Sequence, residues 1–210
     1  MLIYIFCVLA AYLLGSIPTS VWVGRIWFGL DIREHGSGNA GATNTFRVLG
    51  KKAGIFVMLV DILKGLLAAT VALILLRQGI IESEMLILWK LILGIIAIIG
   101  HILPVFAGFR GGKGVATLAG MMMGVQWEIT LICVFIFLIT LLLSNYVSLS
   151  SMVASLSFPL LVVLVPGFQQ DNLILPIFGF ALFVAVVFTH RKNIKRLIRG
   201  DENKTYLIKK

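Results

Sequence analysis

Long apolar runs separated by short polar loops constrain the fold of this chain more than any other feature. Seven runs are recognisable, at about 2–23, 53–76, 86–107, 112–127, 129–145, 151–166 and 173–189. Only 13% of the 210 residues are charged and 60% are hydrophobic, whereas a soluble domain carries about 25% charged residues. So much apolar surface has to face lipid, and a helix crosses the hydrocarbon with roughly 20 residues. The sequence therefore predicts an all-α integral membrane protein with about seven transmembrane helices, organised as one polytopic domain over residues 1–210.

The fourth run is the shortest. A helix over 115–127 would reach only about 20 Å at ~1.5 Å per residue, and a start in the turn at 111–114 would lengthen it to roughly 25 Å. A chain with five or six spans, in which 112–145 crosses differently, therefore stays open beside the seven-span arrangement.

The basic residues predict the orientation. Seven spans place the termini on opposite sides, and fifteen of the 18 Lys and Arg residues then share one side, in the loops 24–52 and 108–113 and in the C-terminal tail. Because Lys and Arg are enriched in cytoplasmic loops, we expect the N-terminus outside and the C-terminus in the cytoplasm. Helical spacing of apolar residues in 190–200 predicts a short amphipathic helix on the anionic inner leaflet.

The first basic loop contains the sequence GSGNAGATNTFR at 36–47. Its glycines allow turns in which N–H groups converge on an anion. Arg47 adds a planar fork that matches phosphate. Four more side chains offer hydrogen bonds: Ser37, Asn39, Thr43 and Asn44. A flexible polar connection between two spans is the alternative that composition leaves open.

The second basic loop, GFRGGKG at 108–114, stands directly before the fourth run. Gly111, Gly112 and Lys113 at a helix N-terminus would form a phosphate cradle, because free N–H groups and the helix dipole both favour an anion. The loop is not a Walker A sequence, which needs Ser or Thr where Gly114 stands. A turn whose basic residues only anchor the topology is the alternative.

Polar residues also occur beyond these two loops. Ser150 and Ser151 stand near the start of the sixth run, where serines are expected to cap the helix. His190 and Asn193 begin the tail. The sequence has no His, Cys or carboxylate cluster with metal-ligand spacing, so no metal site is predicted. Several anion-binding loops on one face of a hydrophobic bundle favour phosphate chemistry at a lipid boundary.

Two ionisable residues lie inside the second run. Asp61 and Lys64 are three residues apart on one helix face, and an ion pair that supports the site is the expected arrangement. Each is also a functional candidate, since charge inside a membrane is costly. His101 lies near the inner end of the third run, where we expect a hydrogen-bonded structural role.

Three segments resemble the motifs of one family, the bacterial acyl-phosphate-dependent glycerol-3-phosphate acyltransferases. They are 36–47 (GSGNAGATNTFR), 100–116 (GHILPVFAGFRGGKGVA) and 190–200 (HRKNIKRLIRG). The residues at 15–18 (GSIP), 61–65 (DILKG) and 147–151 (VSLSS) fit as well. The resemblance runs nearly end to end with the motifs in order, and it implies a seven-span fold with the motif loops in the cytoplasm.

The resemblance also implies a reaction. A fatty acyl group would pass from acyl phosphate to the 1-hydroxyl of glycerol 3-phosphate, giving lysophosphatidic acid and phosphate early in phospholipid biosynthesis. Neither a cofactor nor a metal is implied. The expected partners are the two substrates and membrane lipids, with the soluble enzyme that makes acyl phosphate as a candidate and no nucleic acid. The expected location is the bacterial cytoplasmic membrane, with the active site facing the cytoplasm.

This reaction suggests a role for each site residue. The catalytic set would be Ser37, Arg47, Lys113 and His190, with phosphate bound by the first three and by the amides of Gly111 and Gly112. The substrate-binding set would be Asn39, Thr43, Asn44, Gly111, Gly112, Ser150, Ser151 and Asn193. Asp61, Lys64 and His101 would support the site. Which loop binds which phosphate stays open, and the base is either a substrate phosphate oxygen or one of His190 and His101.

A small membrane transporter for a phosphorylated or anionic solute is the main alternative. Its best support is the charge at Asp61 and Lys64 inside a span. No internal repeat is visible in the sequence, which weakens a transporter built from inverted halves.

Overall fold

The computed structural model describes residues 1–169 and 173–205, and its regular structure within those ranges is helical throughout. The chain divides into two compact units, Met1–Val125 and Gln126–Lys210. The α-helices of the first unit are α1 (Leu2–Ser16), α2 (Thr19–Phe28), α3 (Ala42–Val48), α4 (Lys51–Arg77), α5 (Leu86–Ile102) and α6 (Val115–Val125). The second unit contains α7 (Trp127–Ser144), α8 (Val147–Leu164), α9 (Ile174–Thr189) and α10 (Arg191–Arg199).

The first apolar run forms two helices rather than the single helix predicted. α1 and α2 meet at an angle of 41° around Pro18. Proline has no N–H to continue a helix, and it disfavours the helical conformation in the residue before it. Ile17 accordingly has a ψ of 108°. The break exposes the Ile17 carbonyl group to a side chain of α4.

α4 is the central helix of the first unit and packs against α1, α5 and α6. Small residues allow the close approach. Gly65 lies against the backbone of Thr117, and Gly120 lies against the backbone of Ile62. Close contact through small residues is how helices associate where no water drives them together. A side chain at either glycine would push α4 and α6 apart.

α6 is too short to cross a bilayer of ordinary thickness. Its 11 residues reach about 16 Å at ~1.5 Å per residue. The suggestion that it begins in the turn at 111–114 is wrong, because Gly114 has a φ of +79° and the helix starts at Val115. Whether 112–127 forms a span of its own therefore stays open.

In the second unit α8 packs against both α7 and α9. α8 begins at Val147, four residues earlier than the predicted run, and contains Pro159 in its interior. α10 follows α9 after a bend of 61°. The predicted tail helix is therefore present. Lys209, Lys210 and the end of the predicted 167–172 connection lie outside the described residues.

The apolar helices fit a membrane protein. Within 1–169 and 173–205, four helical segments are long and apolar enough to span a bilayer, and six are if each bent pair counts as one span. Large apolar side chains are exposed along these helices, including Phe6, Phe135 and Leu143. A seven-span arrangement requires α6 to cross as well and remains a proposal, as does the orientation.

Candidate phosphate-binding active site

Asn44, in α3, shapes the first basic loop. Its amide nitrogen donates to the carbonyl oxygens of Ile32 (3.0 Å) and His35 (2.9 Å), and its Oδ1 accepts the N–H of Ser37 at 2.9 Å. Gly36 has a φ of +61°, and a side chain there would collide with Asn44. The side chain of Asn44 is 1% exposed. Since its hydrogen bonds are used within the loop, we assign Asn44 to positioning rather than to substrate contact.

The first and second basic loops are in contact. Arg33 Nε donates to Asp31 Oδ1 at 2.9 Å, and Arg33 Nη1 donates to the carbonyl oxygen of Ala107, just before the second loop, at 2.7 Å. The hydrogen bond from Arg33 holds the pKa of Asp31 well below its usual range. At Gly112 a Cβ would lie 2.9 Å from the Ala40 carbonyl oxygen, so the two backbones touch.

The amides of Gly111 and Gly112 are used by the protein itself. The Gly111 N–H donates to the Ile102 carbonyl oxygen (3.1 Å), and the Gly112 N–H donates to that of His101 (3.2 Å). The structure thus corrects their predicted role as free phosphate donors. A Cβ at Gly111 would collide with the His101 carbonyl group. Because Gly111 and Gly112 have no side chains, the loop can fold back onto the end of α5.

A cluster of charged residues lies beside the loops, centred on Asp61. Lys64 Nζ is 2.9 Å from Asp61 Oδ1 and also donates to the carbonyl oxygen of Ile17 at 3.0 Å. The Thr19 hydroxyl donates to Asp61 Oδ1 at 3.5 Å, and His101 Nδ1 lies 3.6 Å from the same oxygen. The predicted ion pair is present, with Asp61 2% and Lys64 3% exposed.

The remaining loop residues of the predicted site are not fully buried. Ser37 is exposed, and the others are partly exposed: Asn39, Thr43, Arg47 and Lys113. Their positions on two touching loops fit the predicted phosphate site, and their roles stay predictions.

Glu202 organises the polar residues of the second unit. Its Oε1 accepts from Asn193 Nδ2 (2.7 Å) and from the Ser148 hydroxyl (3.1 Å), and its Oε2 accepts from Arg196 Nε at 2.6 Å. Burial raises the pKa of this carboxyl group, but the hydrogen bonds outweigh it and the pKa lies below its usual value. Sequence reasoning missed Glu202. The available signal was an acidic residue within a basic tail.

The serines of α8 do not cap the helix. Tyr146 occupies the N-cap position without a side-chain hydrogen bond. The hydroxyl groups of Ser150 and Ser151 instead donate to the carbonyl oxygens four residues earlier, those of Tyr146 and Val147, each at 2.8 Å. The capping prediction is therefore wrong, because a serine inside a helix finds a nearer acceptor in the preceding turn.

His190 follows α9 with its ring buried. Its Nδ1 lies 2.8 Å from the carbonyl oxygen of Val186. A carbonyl group can only accept, so this bond places a proton on Nδ1. In the neutral ring Nε2 is then an acceptor. His190 stays a predicted site residue.

Glu202→Gln should destabilise the protein by about 1–3 kcal/mol, since it weakens hydrogen bonds to a charged acceptor. The loss should appear as a lower melting temperature in detergent. Because the folded pKa of Glu202 is lowered, its contribution holds above the ordinary value of 4.5 and is lost as the pH falls through the folded pKa. Asp201→Asn, at the exposed neighbouring position, is the matched control. Equal melting temperatures for the two variants would contradict this role of Glu202.

Long apolar helices with exposed apolar side chains identify this chain as an integral membrane protein. Its two touching glycine-rich loops form a candidate anion-binding site. It belongs to the glycerol-3-phosphate acyltransferase family, whose model matches residues 5–200. The predicted glycerol-3-phosphate acyltransferase family is confirmed, and the acyl donor stays a prediction.

Two relatives and one solved structure illustrate the similarity. The chain is 44% identical over 225 residues to the glycerol-3-phosphate acyltransferase of Chlorobaculum tepidum, with 97% of each chain covered. The protein of the same name from Chlorobium phaeobacteroides is 43% identical over 218 residues, covering 92% of this chain and 93% of the relative. The crystal structure of PlsY (YgiH), an integral membrane glycerol 3-phosphate acyltransferase, in its glycerol 3-phosphate form matches with a TM-score of 0.80 and 37% identity. That match covers 96% of this chain and 94% of PlsY.

Proposed function

We propose that the protein transfers a fatty acyl group from acyl phosphate to the 1-hydroxyl of glycerol 3-phosphate, an early step of phospholipid biosynthesis. The hydroxyl oxygen bonds to the acyl carbon, and the bond from that carbon to the phosphate oxygen breaks. Phosphate leaves with the electron pair, and the products are lysophosphatidic acid and inorganic phosphate. The hydroxyl proton passes to a phosphate oxygen of the substrate or to a histidine.

The contact between the two basic loops carries this proposal. Both substrates have a phosphate group, so the site needs more than one anion-binding element. Arg47 in α3 and Lys113 in the second loop provide cations on elements that the structure brings together through Arg33 and Gly112. Guanidinium and ammonium groups form strong charge-assisted hydrogen bonds to phosphate.

The proposed chemistry asks little of the protein beyond orientation and charge. Acyl phosphate is a mixed anhydride and is already activated, so the reaction can be driven by positioning and by stabilising the departing phosphate. His190 stays the predicted alternative acceptor of the hydroxyl proton. Ser37 is exposed on the first loop, and we expect its hydroxyl group to donate to a substrate oxygen.

Product formation in detergent, compared with flux in liposomes, tests the enzyme against the transporter. We expect the purified protein to convert glycerol 3-phosphate and acyl phosphate to lysophosphatidic acid without a sealed membrane, since the reaction needs no gradient. Flux of glycerol 3-phosphate into liposomes without product would instead favour the transporter. Asp61 and Lys64 no longer argue for transport by themselves, because they pair with each other.

The proposal places the site on the cytoplasmic face of the bacterial cytoplasmic membrane. Single cysteines at Glu34, Asp201 and Glu82, which are exposed, test this orientation, since the native Cys7 and Cys133 are buried. Cysteines at positions 34 and 201 should react with an impermeant reagent only from the cytoplasm, and one at 82 only from outside. Labelling of positions 34 and 82 from one side would exclude the seven-span topology.

A further inference from the structure

His101 lies between the buried ion pair of α4 and the second basic loop. Its ring Nδ1 faces Asp61 Oδ1 at 3.6 Å. Its Nε2 faces Gly112 so closely that a Cβ on that glycine would collide with it. The ring is 6% exposed. The two nitrogens of one imidazole thus contact a helix inside the membrane and a loop at the candidate site.

The backbone of His101 reinforces this link. Its carbonyl oxygen accepts the Gly112 N–H at 3.2 Å, and the next carbonyl group, that of Ile102, accepts the Gly111 N–H at 3.1 Å. The second loop is therefore attached to the end of α5 at consecutive residues. A ring displaced from its place against Gly112 would also shift the carbonyl group to which the loop is bonded.

Asp61 has a fixed position from which to hold the ring. Lys64 pairs with it at 2.9 Å, and Lys64 is itself bonded to the carbonyl group that the break at Pro18 exposes. The Thr19 hydroxyl reaches the same carboxylate oxygen. In such a buried place a carboxylate attracts the N–H edge of an imidazole and selects the tautomer protonated on Nδ1.

We propose that His101 is a positioning residue, oriented by Asp61 through Nδ1, that sets the geometry of the loop 108–114 through its contact with Gly112. The chain of contacts runs from the ion pair to the ring and from the ring to the glycines beside Lys113. Only the statement that this loop binds a substrate phosphate rests on the proposed function. His101 orients the loop that carries Lys113 and does not exchange a proton with the substrate.

Hydrogen–deuterium exchange of the full-length protein in detergent tests the positioning directly. The peptide that covers 108–114 contains the bonded amides of Gly111 and Gly112, so its exchange reports the loop geometry. His101→Asn keeps an amide near the position of Nδ1 but removes the atom beside Gly112. His101→Gln places an amide near the position of Nε2. Asp61→Asn combined with Lys64→Met removes the carboxylate without leaving a buried charge unpaired.

We expect His101→Asn and the Asp61→Asn/Lys64→Met variant each to raise exchange of this peptide about tenfold, the effect of weakening one hydrogen-bonded contact. His101→Gln should raise exchange less than His101→Asn does, because it retains the contact with the loop although it loses the nitrogen that faces Asp61. Combining His101→Asn with the α4 substitutions should add little, since both act through one ring. Lys90→Met, at another charged position of α5, is the matched control and should change nothing.

Kinetics give a second readout. The same two variants should lower kcat about tenfold with both substrates saturating, because a displaced loop moves Lys113 away from the departing phosphate. Wild-type exchange of 108–114 in both variants would overturn the proposal. Equal acceleration in the peptides of every helix would also overturn it, because it would show a general loss of stability. If the wild-type protein had no acyltransferase activity but the variants showed the expected exchange, the positioning role of His101 would stand and the proposed function would be rejected.

Discussion

Replacing Arg47 or Lys113 with alanine should lower turnover at least about a hundredfold while the protein still inserts and purifies. Each side chain is partly exposed on one of the two touching loops, where a cation can stabilise the charge that develops on the departing phosphate. Removing one donor to a developing anion costs several kcal/mol of transition-state stabilisation, by analogy with ~3–4 kcal/mol for an oxyanion hole. Initial rates with both substrates saturating measure the effect.

The shape of the cation should matter at Arg47. Arg47→Lys should restore only part of the activity, because an ammonium group cannot reproduce two parallel hydrogen bonds to phosphate. Lys51→Ala, which removes an exposed cation at the first residue of α4, is the matched control and should leave turnover unchanged. Near-normal activity in both Arg47→Ala and Lys113→Ala would mean that the loops only anchor the topology.

The positions of the long helices could be predicted because membrane helices leave a signal in apolar length alone. α4 covers Lys51–Arg77 where the run was 53–76, and α7 covers Trp127–Ser144 where it was 129–145. The pairing of Asp61 with Lys64 was also predictable, since residues three apart share a helix face. These features depend on local spacing, which a single sequence contains in full.

Features that depend on a distant partner were not predicted. Glu202 bonds to Ser148, 54 residues earlier in the chain, and nothing near either residue indicates the contact. The amides of Gly111 and Gly112 were expected to be free, but the fold supplies carbonyl groups from the end of α5. The glycines were correctly identified as unusual, although they serve close packing rather than anion binding by their amides.

Local competition explains the other differences. Pro18 divides the first run because an apolar sequence does not compensate for a missing N–H, and this break could have been read from the proline itself. Ser150 bonds to the carbonyl group one turn earlier instead of capping the helix, a choice that depends on where the helix begins. A start four residues earlier was enough to change the role of the serine.

The choice of acyl donor should show the largest difference in rate of any experiment on this protein. A thioester donor brings a bulky carrier, either coenzyme A with its adenine or a pantetheine-bearing protein. These 210 residues contain no nucleotide-binding fingerprint. The two touching loops are instead compact and basic, which suits a bare phosphate. Phosphate also keeps its negative charge as it leaves, so Lys113 or Arg47 can stabilise it throughout the transfer.

Two further results are expected from the same chemistry. A chelator should leave the rate unchanged, because acyl phosphate is already activated and the basic side chains supply the positive charge. Free phosphate should inhibit by competing for the phosphate sites. Loss of activity on chelation would show that a metal ion performs a role assigned to these side chains.

The most direct test of the proposed reaction is the rate of lysophosphatidic acid formation by purified protein given glycerol 3-phosphate and one acyl donor at a time. We expect turnover with acyl phosphate, and little or none with acyl-CoA or acyl-carrier protein at the same concentration. Equal use of acyl-CoA and acyl phosphate would contradict the assignment of the donor. Turnover with none of the three would contradict the proposed reaction itself.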